Sequence, residues 1–206
     1  MAERWSCVRC ATPVARDGDG RWWCDHDGSV AAMDAYSEPT VHGLLHQASQ
    51  VAAPTWLPWP MLDQLSLSGT GAAVDAAGVP QATLAAFSGP DVVGGAADLV
   101  VVCEEPMVGL GARYAGAGGL DIGSEIAHRA PGVHVSVAGR ATPMWWIAGR
   151  ADRDVFVGEA SGRWLWIVAW PATAGALVHD GLPLRDLRDL LGQVDLIPLT
   201  GLCPRL

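Results

Sequence analysis

The sequence predicts an α+β fold, a largely antiparallel β-sheet with one or two packed helices and an N-terminal zinc-knuckle-like hairpin. Three observations predict it. After residue 64, short apolar runs follow one another too closely to leave room for crossover helices, so antiparallel pairing is expected. Only two stretches carry helical periodicity. Three of the five cysteines fall within the first 24 residues, around a turn-rich segment.

Residues 1–30 read as a zinc-knuckle or ribbon-like unit, and 31–206 as a single α+β domain. In the first, Cys7-Val8-Arg9-Cys10 precedes the turn Arg16-Asp17-Gly18-Asp19-Gly20, and Arg21-Trp22-Trp23-Cys24-Asp25-His26-Asp27-Gly28 follows it. Asp-Gly-Asp-Gly is strong turn chemistry, so a hairpin is expected to carry Cys24 back towards Cys7 and Cys10. Residues 38–52 predict a helix with Val41, Leu44, Leu45 and Ala48 on one side. Three prolines and two tryptophans between Pro54 and Pro60 predict a stiff extended strap.

Predicted strands are 65–74, 81–88, 99–104, 133–137, 144–148, 155–159, 164–170 and 176–179. Ala160-Ser161-Gly162 is a hairpin connection between two of them. Trp164, Trp166 and Trp170 share one strand face, as core or as an aromatic docking surface. A late helix is expected from Pro183, with Leu184, Leu187, Leu190 and Leu191 as its stripe, Arg185 and Asp189 paired, and Gly192 as its stop. A last edge strand is expected at 196–199.

Composition excludes several functions. All 13 basic residues are arginine, so the lysine of a Walker-type phosphate loop and the lysine of Schiff-base chemistry are absent. The net charge of −9 leaves no basic segment to neutralise phosphates, which disfavours nucleic acid as a partner. No apolar run reaches the roughly 20 residues of a membrane-spanning helix, and the first residues lack the apolar stretch of a signal peptide. A cytoplasmic location without membrane association is the expectation, and clustered thiols there point to metal rather than disulfides.

A tetrahedral zinc site takes four soft or borderline ligands, often as short pairs on opposing turns. Cys7-x2-Cys10 is a good first pair and Cys24 a third ligand. The fourth is open between His26, one residue beyond Cys24, and Asp27, at x2 spacing. His42 and His46 supply another candidate, at i, i+4 on the predicted helix. Three thiolates with a fourth ligand favour structural zinc over catalytic zinc, which keeps an open position. The competing reading is a ribbon held by packing of Trp5, Trp22 and Trp23 alone.

In the body, Glu104 and Glu105 at a strand end, then Gly109-x-Gly111, Arg113 and Tyr114, form a candidate ligand site. An arginine holds an anion bidentately and a glutamate serves as base. The competing reading is a surface loop in which Arg113 pairs with Glu104 or Glu105. No nucleophile elbow or other catalytic motif is present, and no catalytic residue is assigned.

The segments Trp56–Pro60, Gly109–Gly116, Gly162–Trp166, Leu187–Asp189 and Pro204–Leu206, with the N-terminal cysteines, resemble an uncharacterised actinobacterial family of unknown function. The resemblance runs nearly the full length and implies one whole-chain unit with a zinc-ribbon-like start. Its pattern places a histidine where this chain has Asp27. The favoured function is a non-enzymatic cytosolic binding or adaptor module with a structural zinc knuckle and a protein partner. The alternative is an enzyme or sensor for a small anionic metabolite at the loop from Glu104 to Tyr114.

Overall fold

The computed structural model describes residues 5–148, 150–201 and 203–206. Its frame is an eleven-stranded sheet, and each strand enters in chain order as follows. β1 (Ser6–Cys7) leads into a small antiparallel sheet of β2 (Ala15–Arg16), β3 (Trp22–Cys24) and β4 (Gly28–Ser29). β5 (Ala32–Tyr36), helix α1 (Val41–Gln50) and β6 (Trp56–Pro58) follow. The long strands are β7 (Ser66–Val74), β8 (Pro80–Pro90) and β9 (Ala96–Glu104). Helices α2 (Leu110–Ala115) and α3 (Ile122–Ile126) precede β10 (Val133–Val137), β11 (Arg140–Trp146), β12 (Asp154–Ala160) and β13 (Arg163–Trp170). A 3-10 turn at Ala172–Leu177, β14 (Pro183–Asp186) and a 3-10 segment at Leu187–Leu196 complete the chain's elements.

The sheet order is β1-β5-β7-β8-β9-β13-β12-β11-β10-β14-β6, antiparallel except where β10 meets β14. The fold class expected from the spacing is therefore the one observed. Its middle strands are apolar throughout because both faces are covered. On β13, Leu165, Ile167 and Ala169 enter one core while Trp166, Val168 and Trp170 enter the other. β9 divides the same way, Leu99, Val101 and Cys103 against Val100 and Val102. Leu44 of α1, Leu57 of β6 and Val194 cover the first face. Val8, Leu110 and Tyr114 of α2, and Cys203 cover the second. Burying each such Leu, Ile or Val contributes about 1.5–3 kcal/mol over leaving it in water.

The sheet curls. β6 is its last strand, paired with β14, yet it also lies against β8 and β9 in the middle. The proline-tryptophan strap thus closes over the first core, with Trp56 and Leu57 buried beneath it.

Several local expectations are corrected. Residues 183–186 form a strand instead of opening a helix, because Leu184 and Asp186 are buried while Arg185 is exposed, a two-residue period. The following 3-10 segment buries Leu187, Leu190 and Val194 but exposes Leu191. In place of the expected Arg185–Asp189 pair, the described residues show a different one: Arg188 Nε donates to Asp186 Oδ2 at 2.8 Å. The stretch 176–179 ends a 3-10 turn instead of forming a strand. The tail makes a single parallel bridge, Leu199 to Leu67. The tryptophan face of β13, by contrast, is core as expected: Trp166 and Trp170 are buried in the second core and Trp164 packs half-buried against it.

Candidate metal centre

The hairpin that carries the site is built by Asp17. Its carboxylate accepts from the backbone N–H of Asp19 (2.9 Å) and of Arg21 (2.8 Å), an Asx-type turn with Gly20 at φ 77°. β3 then returns beside β2 and delivers Cys24. Cys7 sits in β1 at the edge of the large sheet, paired with Ala32. Its carbonyl accepts from the Ala11 N–H (2.9 Å), closing the turn that presents Cys10, with Ala11 at φ 64°. Trp5 packs tilted against Trp22, ring centres 5.1 Å apart, and the Arg16 guanidinium lies over the Trp22 ring at 4.3 Å.

Cys7, Cys10, Cys24 and Asp27 converge, with one ligand atom from each lying within 4.8 Å of all the others. Cys10 Sγ is 3.4 Å from Cys24 Sγ. Asp27 Oδ2 is 3.2 Å from Cys7 Sγ and 3.7 Å from Cys24 Sγ. Around one tetrahedral zinc, bond lengths require S···S of about 3.8 Å and S···O of about 3.5 Å. The donor set therefore fits a metal ion of that size. His26 is exposed and outside the convergent set, as are His42 and His46 on α1.

The surroundings suit an anionic ligand cluster. The Arg9 N–H points to Cys7 Sγ (3.4 Å), and Thr12 Oγ1 lies 3.1 Å from Cys10 Sγ and 3.3 Å from Cys24 Sγ. Without metal, burial pushes the Cys7 thiol up to about 12, with the Asp27 carboxylate pushing the same way. The Cys10 and Cys7 thiols beside Asp27 hold its carboxyl below the ordinary carboxylate range. Metal binding at this cluster would replace the thiol protons that now face the Asp27 carboxylate.

Two arginines tie this cluster to the body. Arg113 Nη1 of α2 donates to the Cys7 carbonyl (3.1 Å). Arg9 reaches the other way, to the carbonyls of Met107 (2.9 Å) and Val108 (3.2 Å). Between knuckle and body lies a cleft of about 700 Å³, with Arg9, Asp27, Glu104, Gly109 and Arg113 in its wall.

The family model described as "Family of unknown function (DUF6758)" matches residues 1–206. The chain belongs to that family. No curated protein and no solved structure matches it. Membership of DUF6758 assigns no chemistry to these residues.

The four residues of the loop candidate are divided. Glu104, only 2% exposed, accepts from the N–H of Leu110 (2.7 Å) and Gly111 (3.2 Å), capping α2 in place of a local side chain. Burial pushes its carboxyl up, against those backbone donors. Glu105 pairs with Arg163 at 2.5 Å. Arg113 shares the cleft wall with Glu104 but pairs with neither carboxylate among the described residues, its guanidinium lying 4.6 Å from the centre of the Tyr114 ring. Gly109 and Gly111 serve the turn itself: Gly109 has φ 92°, and a Cβ on Gly111 meets the Trp166 indole at 2.2 Å. Thr12 and Arg9 were invisible as site residues, since neither lies at a ligand spacing.

Proposed function

We propose that this chain is a non-enzymatic binding module whose N-terminal knuckle holds one structural zinc on Cys7, Cys10, Cys24 and Asp27. The convergence of those four ligand atoms carries the reading. Three sulfurs and a carboxylate complete a tetrahedron and leave no position for substrate, which favours structure over catalysis. The ion fixes Cys7, and through Cys7 and Arg9 it fixes the loop that leads into α2. That loop presents Met107, 86% exposed, and the cleft wall presents Leu120, apolar side chains suited to a protein partner in the cytoplasm. An enzyme acting through Glu104, Glu105, Arg113 and Tyr114 gains no support, since both carboxylates already have partners.

Elemental analysis of the purified protein tests the metal, beside a Cys7→Ser, Cys10→Ser double variant. One zinc per chain, lost in the variant, is expected. A wild-type chain that stays metal-free after incubation with zinc under reducing conditions would sink the reading.

A further inference from the structure

Beyond the metal centre, we propose that Arg113, Tyr114, Arg153, Trp170 and Arg205 form a binding pocket for a small phosphate monoester.

In a chain of net charge −9, the segment 31–136 has two arginines against ten acids. Yet three arginines from distant parts of the sequence gather around two aromatic rings. Arg153 and Arg205 each sit 5.0 Å from the centre of Trp170, and Arg113 sits over Tyr114. Tyr114 meets Trp170 edge-on at 6.4 Å. These groups line a pocket of about 480 Å³, and no carboxylate lines it among the described residues. Asp152 and Asp98 pair with Arg153 and Arg205, both at 2.8 Å, from outside the lining. Arg113 donates to the Cys7 carbonyl.

A second observation points to a ligand. Tyr114 is 6% exposed, and its hydroxyl is left without a well-formed hydrogen bond, the Arg113 guanidinium lying beside it. Buried hydroxyls are ordinarily partnered, and leaving one bare costs stability. Guanidinium groups, the Tyr114 phenol and the Ser6 hydroxyl in the lining offer protons to an acceptor, beside Cys10, whose sulfur belongs to the metal site. Met33, Pro204 and Leu206 add apolar wall for an organic body. A phosphoryl group matches the donors best, because its tetrahedral oxygens accept from several guanidinium groups and a phenol at once.

Calorimetric titration with phenyl phosphate at fixed ionic strength tests this, with inorganic phosphate and benzoate as comparison probes. Saturable one-to-one binding of phenyl phosphate is expected. Tyr114→Phe should weaken it about tenfold, the loss of one hydrogen bond to a charged group. Its zinc content should be unchanged and its thermal stability equal or higher, since removing an unpartnered hydroxyl relieves a cost. Arg205→Gln should weaken binding as well, while Asp98 keeps the Ser88 hydroxyl as a partner (2.8 Å). No saturable binding, or equal affinity in both variants and wild type, overturns the pocket. Tighter binding of benzoate than of phenyl phosphate overturns the phosphoryl assignment.

Discussion

At the scale of single residues, Gly111 and Glu104 show how much of the loop is structural. Alanine at 111 gains up to about 1 kcal/mol of helix propensity. Its Cβ, however, lands 2.2–2.3 Å from three atoms of an indole that is itself buried in the second core. Overpacking wins, and Gly111→Ala should lower stability by about 2 kcal/mol in urea unfolding. Glu104 carries a pH signature. Its folded-state pKa is raised, so its contribution is fully present below the ordinary glutamate value and is lost as pH rises through the folded one. Wild type should therefore gain on Glu104→Gln as pH falls from neutrality towards that value, measured as the difference between their unfolding midpoints. A constant difference would mean that the carboxyl does not titrate abnormally. The sequence showed that these residues were unusual without showing why. A carboxylate reads as chemistry until the backbone donors it caps are seen, and those donors come from a helix too short to leave a periodic signal.

Elements tell a different story for the knuckle and for the C-terminal third. The hairpin and the Cys-x2-Cys turn were legible because their chemistry is local: Asp17 and Gly20 set one turn, and Cys7 and Cys10 are three residues apart. The fourth metal-site member was legible only as one of several candidates, since direction, not spacing, separates Asp27 from His26. β14 was misread because four residues do not distinguish a two-residue from a 3.6-residue period when leucines recur on both sides. The link between knuckle and α2 was invisible, being made by arginines 98 to 106 residues from the carbonyls they hold. It makes a prediction about the element. Stripping metal with a chelator should speed amide hydrogen exchange in α2 by about tenfold, as the Cys7 carbonyl and Arg9 lose their fixed positions. Exchange in β8 and β9, central in the sheet, should not change. Equal protection of α2 with and without metal would show that the two are uncoupled.

At the scale of the whole molecule, the antiparallel sheet followed from strand spacing, and its two-sided burial from the unbroken apolar runs of β9 and β13. What no local pattern contains is the order of strands. β6 comes early in the chain and pairs with β14 near its end. Nothing in the tryptophan-proline strap names that partner. Asp186 reinforces the pairing, accepting from the Thr55 N–H (3.4 Å) across 131 residues of sequence while itself held by Arg188.

That closing strap bears on how the protein is made. On a ribosome the chain emerges from its N-terminus, so the knuckle and the run of hairpins from β7 to β9 can form while synthesis continues. The strap cannot. Until residues 183–186 leave the exit tunnel, Trp56 and Leu57 have no strand to pair with, and the face of β8 and β9 they later cover stays open to water. From the making of β8 and β9 until residues 183–186 emerge, this polypeptide therefore carries an uncovered oily surface, and the arrival of β14 decides whether that surface is sealed or left to aggregate.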